Sequence, residues 1–230
     1  MLSQFEQHKT FEQPEKLIRI VDMGSGKGYL TFALYYLLKE IMQLNVEITG
    51  IELREALCRF CNEQAEKLGW AAHLRFAAMD IVNYPKGEIE VLIALHACDT
   101  ATDIAIFQGI ANDANLIVVA PCCHKQIRKE IKPKGPWKTI LKNGILLERE
   151  AELLTDAIRA LLLEREGYKT RVFEFISGEH TAKNLMITAG RLNKSSKIEE
   201  PLKINDEIVD LKEQFGINEH YLEKLLKGKS

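Results

Sequence analysis

The chain has 230 residues, of which 46% are hydrophobic and 28% are charged, so it is long enough to bury a substantial core as an ordinary globular protein. Its net charge of -2 argues against a uniformly basic coat for nucleic acid, and its longest apolar runs are strand-sized, which argues against a membrane-spanning helix. The polar N-terminus lacks a signal pattern and the five cysteines form no even disulfide framework, so we expect a cytoplasmic, reducing location and no membrane partner.

Short β-rich runs alternate with longer helical patterns along most of the chain. Strands are predicted in LIRIVDM, VEITGIE, HLRFAAMD, EVLIALH and NLIVVA, with helices over residues 29–42, 54–67 and 102–111 among them. This alternation is typical of βαβ units around a buried parallel sheet. A helix over about 148–166 comes next. It is followed by KTRVFEF and NLMITAG, which have no helix between them and so form an antiparallel pair. The pattern therefore predicts an α/β fold with a mostly parallel sheet of about seven strands and an antiparallel last strand.

The C-terminal part of the chain differs from the rest. The stretch NKSSKIEEP, residues 193–201, has the composition of a polar linker, and INDEIVDLKEQFG and INEHYLEKLLKG predict two short amphipathic helices. We therefore expect a main domain over residues 1–192 and a small helical tail over 193–230. The tail either packs on the core or serves as an interface for a protein partner, and packing on the core is the simpler interpretation.

The stretch VDMGSGKGYL lies where the first strand ends and a helix begins. Gly24, Gly26 and Gly28 permit a tight turn in which a ligand can approach the backbone closely. Asp22 precedes the first glycine by two residues, and Glu52 ends the second strand about 30 residues further on. A carboxylate at that position suits hydrogen bonds to the two hydroxyls of a ribose.

A third acid, Asp80, ends the next strand in AAMDI, where it could reach an adenine amino group. Met79 and Ile81 beside it offer apolar contact. Because the carboxyl ends of parallel strands meet at one edge of a sheet, the glycine turn and the three acids should converge there.

The spacing D-x-G-x-G-x-G differs from the G-x-G-x-x-G of nicotinamide binders and resembles the class I S-adenosylmethionine-dependent methyltransferases over about residues 17–192. The resemblance implies a Rossmann-like class I fold and S-adenosylmethionine as cofactor, with Asp22 and the glycines at its methionine moiety, Glu52 at its ribose and Asp80 at its adenine. A nicotinamide-binding domain and a sheet without cofactor are the alternatives. The expected cofactor-binding residues are Asp22, Gly24, Ser25, Gly26, Gly28, Glu52, Asp80, Ile81 and Leu95.

The ends of the fourth and fifth strands read ALHACDTATD and VAPCCHK. Together with SGEHTAKN, they resemble one branch of these methyltransferases, which includes tRNA acceptor-stem 2'-O-methyltransferases and rRNA adenine dimethylase domain-containing proteins. The Pro-Cys-Cys-His run is the most recognisable signature of that branch. The resemblance implies methyl transfer, most simply to an oxygen or nitrogen atom of tRNA or rRNA.

Three interpretations of Pro121 to His124 remain open. Zinc needs about four ligands, and the cysteines and histidines of these two strand ends could supply them. We nevertheless expect no metal, because the side chains of adjacent cysteines should diverge. A catalytic thiol would be required for a pyrimidine carbon acceptor. In the third interpretation the thiols line an acceptor pocket and a histidine near neutral pKa acts as a base. The candidate catalytic residues are His96, Asp99, Cys122, Cys123, His124, His180 and Asn184.

A basic segment over residues 125–142 follows the Pro-Cys-Cys-His run and carries a net charge of about +6, with Trp137 in its midst. Basic residues and an aromatic ring suit phosphate contacts and base stacking, so RNA is the predicted partner. A solvated loop is the alternative. A protein or small-molecule methyltransferase and a non-catalytic, cofactor-binding platform are the competing functions. The predicted RNA contacts are Lys125, Arg128, Lys129, Lys132 and Lys134.

Overall fold

The computed structural model describes residue 10 and the ranges 15–95, 97–174, 185–192 and 201–228. Within these residues, one sheet contains seven strands. The strands are β1 (Ile18–Met23), β2 (Val46–Glu52), β3 (Leu74–Ala78), β4 (Val91–Ala94), β5 (Leu116–Val119), β6 (Tyr168–Glu174) and β7 (Leu185–Arg191). Their order across the sheet is β3-β2-β1-β4-β5-β7-β6.

The strand directions confirm the predicted fold class. The pairs β1–β2, β2–β3, β1–β4 and β4–β5 are parallel, whereas β7 is antiparallel to both β5 and β6. Every residue of β4 and β5 is buried, as expected for central parallel strands that are covered on both faces. The order of the strands therefore reverses between β1 and β4. The carboxyl ends of these two strands form the switch point, where ligands bind in open sheets.

Helices cover both faces of the sheet. The first begins at Tyr29, as predicted, but it is α-helical only to Tyr35 and continues as a π-helical turn over Tyr36–Ile41. The long helix after the basic segment begins at Gly144, four residues before the predicted start. The helices are α1 (Tyr29–Tyr35), α2 (Glu55–Lys67), α3 (Thr100–Ala111), α4 (Lys125–Glu130), α5 (Trp137–Ile140), α6 (Gly144–Arg165), α7 (Pro201–Phe215) and α8 (Tyr221–Lys227).

The basic segment forms two short helices, α4 and α5, that the sequence did not predict. Pro133, Gly135 and Pro136 separate them, because proline cannot continue a helix and the glycine adopts a positive φ of 55°. Lys132 N donates to Phe215 O at 2.8 Å, so the loop between α4 and α5 is hydrogen-bonded to the end of α7.

The helical tail packs on the core. Ile204, Ile208, Phe215, Leu222 and Leu226 are buried in the same apolar cluster as the inner faces of α3 and α6. The apolar face of the tail is therefore covered by this chain's own core, and its role as an interface for a protein partner remains a prediction. Among the residues that the structure describes, no helix is long and apolar enough to cross a membrane.

This packing predicts that the tail contributes to the stability of the whole domain. The side chain of Leu222 is fully buried, so Leu222→Ala should lower the free energy of unfolding by about 2–5 kcal/mol. Leu202 lies on α7 with 79% of its surface exposed, and Leu202→Ala should change that energy by less than about 0.5 kcal/mol. Urea denaturation measures both, and an equally small effect at Leu222 would show that the tail is detached in solution.

Candidate active site

The glycine turn is fastened to the neighbouring strand by its backbone. Gly24 N and Ser25 N both donate to Ile51 O, at 2.8 and 2.9 Å, and Ser25 Oγ contacts the same carbonyl at 3.4 Å. Met79 N donates to Glu52 O at 3.2 Å, which joins the end of β3 to the end of β2. The predicted convergence of the first three strand ends is therefore present.

Glycine is needed at two positions of this turn for different reasons. Gly26 has a φ of 58°, and a Cβ placed on it would have no neighbour within 4 Å, so its backbone is open on the side where a ligand could approach. Gly28 has a φ of 74°, and a Cβ there would lie 3.0 Å from the ring of Phe76. Gly28 therefore permits close packing of α1 on the sheet, whereas Gly26 leaves space for a ligand.

The Glu52 carboxylate lies beside this opening. Its Oε2 accepts from Gly26 N at 3.1 Å, while its Oε1 accepts from Arg54 Nε at 2.8 Å. The hydrogen bond from the Arg54 side chain lowers the pKa of Glu52, although burial opposes the shift. An ionised carboxylate next to an open glycine backbone fits the ribose diol of a nucleoside cofactor. Arg54, which the sequence analysis missed, covers this carboxylate and must share it with such a ligand.

Asp22 is buried at the start of the turn. Its Oδ2 accepts from Thr31 Oγ1 at 2.7 Å, which ties the end of β1 to the first turn of α1. Sequence reasoning did not single out Thr31. Its signal was a hydroxyl side chain three residues after the last glycine, at the start of the predicted helix.

The residues assigned to the adenine lie further along the same edge. Asp80 is exposed, and its Oδ1 accepts from Val82 N at 3.1 Å, which caps a 3-10 turn over Ile81–Asn83. Ile81 and Leu95 are half-buried. This placement agrees with contact to a planar base, and the assignment remains a prediction.

The ends of β4 and β5 are adjacent, as the sequence analysis assumed. Ala120 N donates to Ala94 O at 3.1 Å, and Gln126 N donates to Asp99 Oδ1 at 3.2 Å, so the two following loops contact each other. Asp99 has a φ of 55°, which is costly for a residue with a side chain. The contacts of Asp99 with neighbouring elements offset that cost.

A buried guanidinium holds these loops in place. Arg159 on α6 is completely buried, and its Nε donates to Asp103 Oδ1 at 2.7 Å on α3. Its Nη1 donates to Asp156 Oδ1 at 3.0 Å, and its Nη2 donates to Asp99 O at 2.9 Å. Asp103 ends the stretch ALHACDTATD, whereas Asp156 and Arg159 lie outside every motif that the sequence singles out.

His124 is the histidine of the Pro-Cys-Cys-His run and is joined to this network. It is 4% exposed, and its Nε2 lies 3.0 Å from Asp156 Oδ2. Its Nδ1 has no hydrogen-bond partner among the described residues. If Nε2 carries the proton that faces the carboxylate, Nδ1 is left with a free lone pair.

A cavity of about 400 Å³ lies between α6 and the β6/β7 pair. The buried residues Pro121, His124 and Asp156 line it, and Leu153, Val172 and Leu185 contribute apolar side chains to its wall. Its volume falls within the range of small-ligand sites, about 300–1,000 Å³. Three of the predicted catalytic residues, His96, His180 and Asn184, lie outside the described residues.

The basic segment leaves its lysines at the surface. Lys125, Lys129, Lys132 and Lys134 are exposed and form no ion pair with another described residue. Arg128 differs, because its Nε pairs with Glu148 Oε2 at 2.6 Å.

Trp137, which the sequence analysis offered as a base-stacking residue, is half-buried. Its ring centroid lies 5.1 Å from that of Phe215 in α7, and it packs against the main core. The ring therefore packs between the basic segment and the tail, and the predicted RNA contacts of the exposed lysines remain a prediction.

Comparison with protein families identifies the class. A family described as "Methyltransferase domain" matches residues 1–130, which is more than half of the chain. The matched region includes the glycine turn and the ends of β2 to β5. The chain belongs to this methyltransferase-domain family. With the sheet order above, it is a class I methyltransferase, and S-adenosylmethionine is the cofactor of that class. The predicted fold, enzyme class and cofactor are thereby confirmed.

The curated relatives are longer proteins. The chain is 26% identical to the glutathione S-transferase C-terminal domain-containing protein of Homo sapiens and 28% identical to that of Mus musculus. Each match covers 74% of this chain and 29% of the relative. The chain therefore spans about 29% of the length of these relatives.

Solved structures share the fold at low identity. Geranyl diphosphate C-methyltransferase from Streptomyces coelicolor A3(2) has a TM-score of 0.53 and 12% identity, over 83% of this chain and 77% of that one. A protein described as an rRNA-methylase from Clostridium thermocellum has a TM-score of 0.54 and 13% identity, over 84% of this chain and 97% of that one. These similarities support the fold and leave the acceptor open.

A second buried histidine packs beside the network. His220 is fully buried, and its Nδ1 accepts from Leu222 N at 3.2 Å, which caps α8. Burial lowers its pKa to about 4, while Asp103 acts in the opposite direction and Arg159 adds to the lowering. The folded protein therefore keeps this imidazole neutral at pH values where the unfolded chain would protonate it.

The expected consequence is a loss of stability in mild acid. Between about pH 6.5 and pH 4 the unfolded chain binds the extra proton, so the free energy of unfolding should fall as the pH falls, by up to about 3 kcal/mol. His220→Asn keeps an acceptor for Leu222 N and removes the titration, so its loss over this range should be smaller than that of the wild type. Urea denaturation at pH 7, 5.5 and 4.5 compares them, with His73→Asn as the control histidine; equal pH dependence in all three proteins would contradict the account.

Proposed function

We propose that this chain transfers a methyl group from S-adenosylmethionine to an oxygen or nitrogen atom of RNA, with tRNA or rRNA as the substrate. It would then be a member of the Pro-Cys-Cys-His branch described above. The observation that carries the proposal is the row of exposed lysines that begins directly after His124, at the carboxyl end of β5. An acceptor with a phosphate backbone suits that placement.

S-adenosylmethionine is proposed to bind at the glycine turn and at the acidic side chains that end the first strands. The Gly26 backbone and Glu52 would hold the ribose, and buried Asp22 would support the turn through Thr31. S-adenosylmethionine supplies a methyl group on a positively charged sulfur. The protein's contribution is mainly to bind and align the acceptor, because an in-line displacement depends strongly on positioning.

On the acceptor side, His124 is proposed as the base. Its contact with Asp156 Oδ2 orients the ring, as a carboxylate does for a catalytic histidine, and leaves Nδ1 to accept a proton. Asp156 is therefore a positioning residue in this proposal. Asp99 and the two adjacent cysteines would shape the neighbouring wall, and His96, His180 and Asn184 remain candidates from the sequence.

The assignment of Glu52 is tested by binding of S-adenosylhomocysteine, the cofactor product. Glu52→Gln should raise the dissociation constant of S-adenosylhomocysteine by about 10-fold or more, because charge-assisted hydrogen bonds to the ribose contribute about 1.5–3 kcal/mol. Glu55→Gln is the matched control, since Glu55 is an exposed acid three residues away that pairs with Arg59. Calorimetry measures both variants, and similar affinities for them would remove Glu52 from the cofactor site.

The RNA substrate is tested by transfer of a radiolabelled methyl group into total RNA and total protein. Changing Lys129, Lys132 and Lys134 together to glutamine should weaken RNA binding and reduce its dependence on log salt by about 0.7–0.9 per lost phosphate contact. The same changes at Lys169, Lys203 and Lys224, which are also exposed, provide a charge-matched control.

Label in RNA that depends on the first lysine set would support the proposal. Label confined to protein would identify a protein methyltransferase instead. Binding of S-adenosylhomocysteine without transfer to either fraction would favour a non-catalytic platform or a small-molecule acceptor, for which the largely apolar cavity beside His124 offers room.

A further inference from the structure

We propose that Cys98, Cys122 and Cys123 form a binding site for a thiophilic divalent cation, with zinc as the natural occupant. Their three Sγ atoms lie within 4.8 Å of one another. Cys98 Sγ lies 2.7 Å from Cys122 Sγ, and Cys122 Sγ lies 3.7 Å from Cys123 Sγ. None of these thiols is among the predicted cofactor-binding residues, and the proposal does not depend on the choice of acceptor.

The separations suit a metal better than the sequence suggested. Zinc bonds thiolates at about 2.3 Å in a tetrahedral array, which places neighbouring sulfurs about 3.8 Å apart. The adjacent cysteines already satisfy that spacing, so the expectation that their side chains diverge is wrong. Cys98 would need to withdraw by about 1 Å from Cys122 to complete the same geometry.

The loops that carry these cysteines are held together by other contacts. Gln126 N bonds to Asp99 Oδ1, and Arg159 Nη2 bonds to Asp99 O. Asp99 directly follows Cys98, so both bonds fix the backbone beside that thiol. A site whose ligands come from two fastened loops is preorganised, which lowers the entropy that a cation must overcome to bind.

Binding of the cation is coupled to the loss of the thiol protons. Binding of a divalent cation would exchange the three thiol protons for three metal–sulfur bonds, with the protons released to solvent. The bound group would carry one net negative charge.

The site lies next to the cavity beside α6. Pro121 and His124, which flank the two adjacent cysteines, line the cavity next to α6. Three protein ligands leave the fourth coordination position for water or another donor, as in catalytic zinc sites. The three thiols are the described residues that meet the geometric requirement, and the fourth position is left unassigned.

The test uses cobalt, which reports thiolate ligation by colour. The full chain is reduced, stripped with a chelator and titrated with Co²⁺, and then with Zn²⁺. One equivalent of Co²⁺ should produce a sulfur-to-cobalt charge-transfer band that Zn²⁺ removes. Its apparent affinity should fall as the pH is lowered, because the thiols must lose protons.

Variants assign the ligands. Cys98→Ser, Cys122→Ser and Cys123→Ser should each weaken Co²⁺ binding by about 100-fold or more, since each removes a thiolate from the first coordination sphere. Cys58→Ser is the control, because Cys58 is a buried thiol on α2 whose replacement hydroxyl can still donate to Glu52 O. Circular dichroism confirms that each variant is folded.

A measurement on the unaltered chain covers the case in which a variant fails to fold. Zn²⁺ should protect the three site cysteines from alkylation, as mapped by mass spectrometry, and leave the labelling of Cys58 and Cys61 unchanged. Absence of the cobalt band from the reduced chain, an equal band in all the serine variants, or equal protection of all five cysteines would overturn the proposal.

Discussion

The architecture of the proposed acceptor edge, formed by the loops after β4 and β5, depends on one buried cation, the guanidinium of Arg159. It is fully buried and bonds to Asp103 on α3, to Asp156 on its own helix and to the backbone of Asp99. A guanidinium cannot lose its proton at this depth, so each of its partners must stay in place. Removing one partner of a buried ion pair costs about 3–5 kcal/mol, because the remaining charge is left uncompensated. The network therefore fixes the loop after β4 directly and the loop after β5 through Asp156 and His124.

The two halves of the site are built in different ways. The cofactor edge is formed mainly by backbone, since Gly24 and Ser25 bond to the carbonyl of Ile51 and Gly26 bonds to the Glu52 carboxylate. The acceptor edge is formed by side chains from distant helices. Side chains on separate helices can therefore be changed without altering the backbone of the cofactor turn, in keeping with the general rule that function resides in sites placed on a shared fold. The tail supports the second half, because Phe215 packs against Trp137 of the basic segment and His220 lies close enough to Asp103 of α3 to interact electrostatically.

Sequence reasoning predicted the cofactor edge better than the acceptor edge, for a physical reason. The glycine turn and the acids that end β1 and β2 are local signals, and parallel pairing brings them together without further information. Arg159 and Asp103 are 56 residues apart, and a charged residue on a long helix looks like part of a solvated face until the packing of α6 is known. Trp137 likewise looks available for base stacking in the sequence, because the ring that it packs against, Phe215, lies far away in the tail. The spacing of Cys122 and Cys123 depends on side-chain directions that the residue order does not specify.

The central claim is that the Arg159 network holds the two acceptor loops and leaves the cofactor turn independent. Hydrogen exchange of the backbone amides, compared between the wild type and Asp156→Ala, tests it most directly. Asp210→Ala, an exposed change on α7, serves as the control. The account predicts faster exchange in residues 97–103 and 121–126 of Asp156→Ala, with residues 24–28 unchanged. Unaltered exchange in both loops, or an equal increase throughout the sheet, would contradict it.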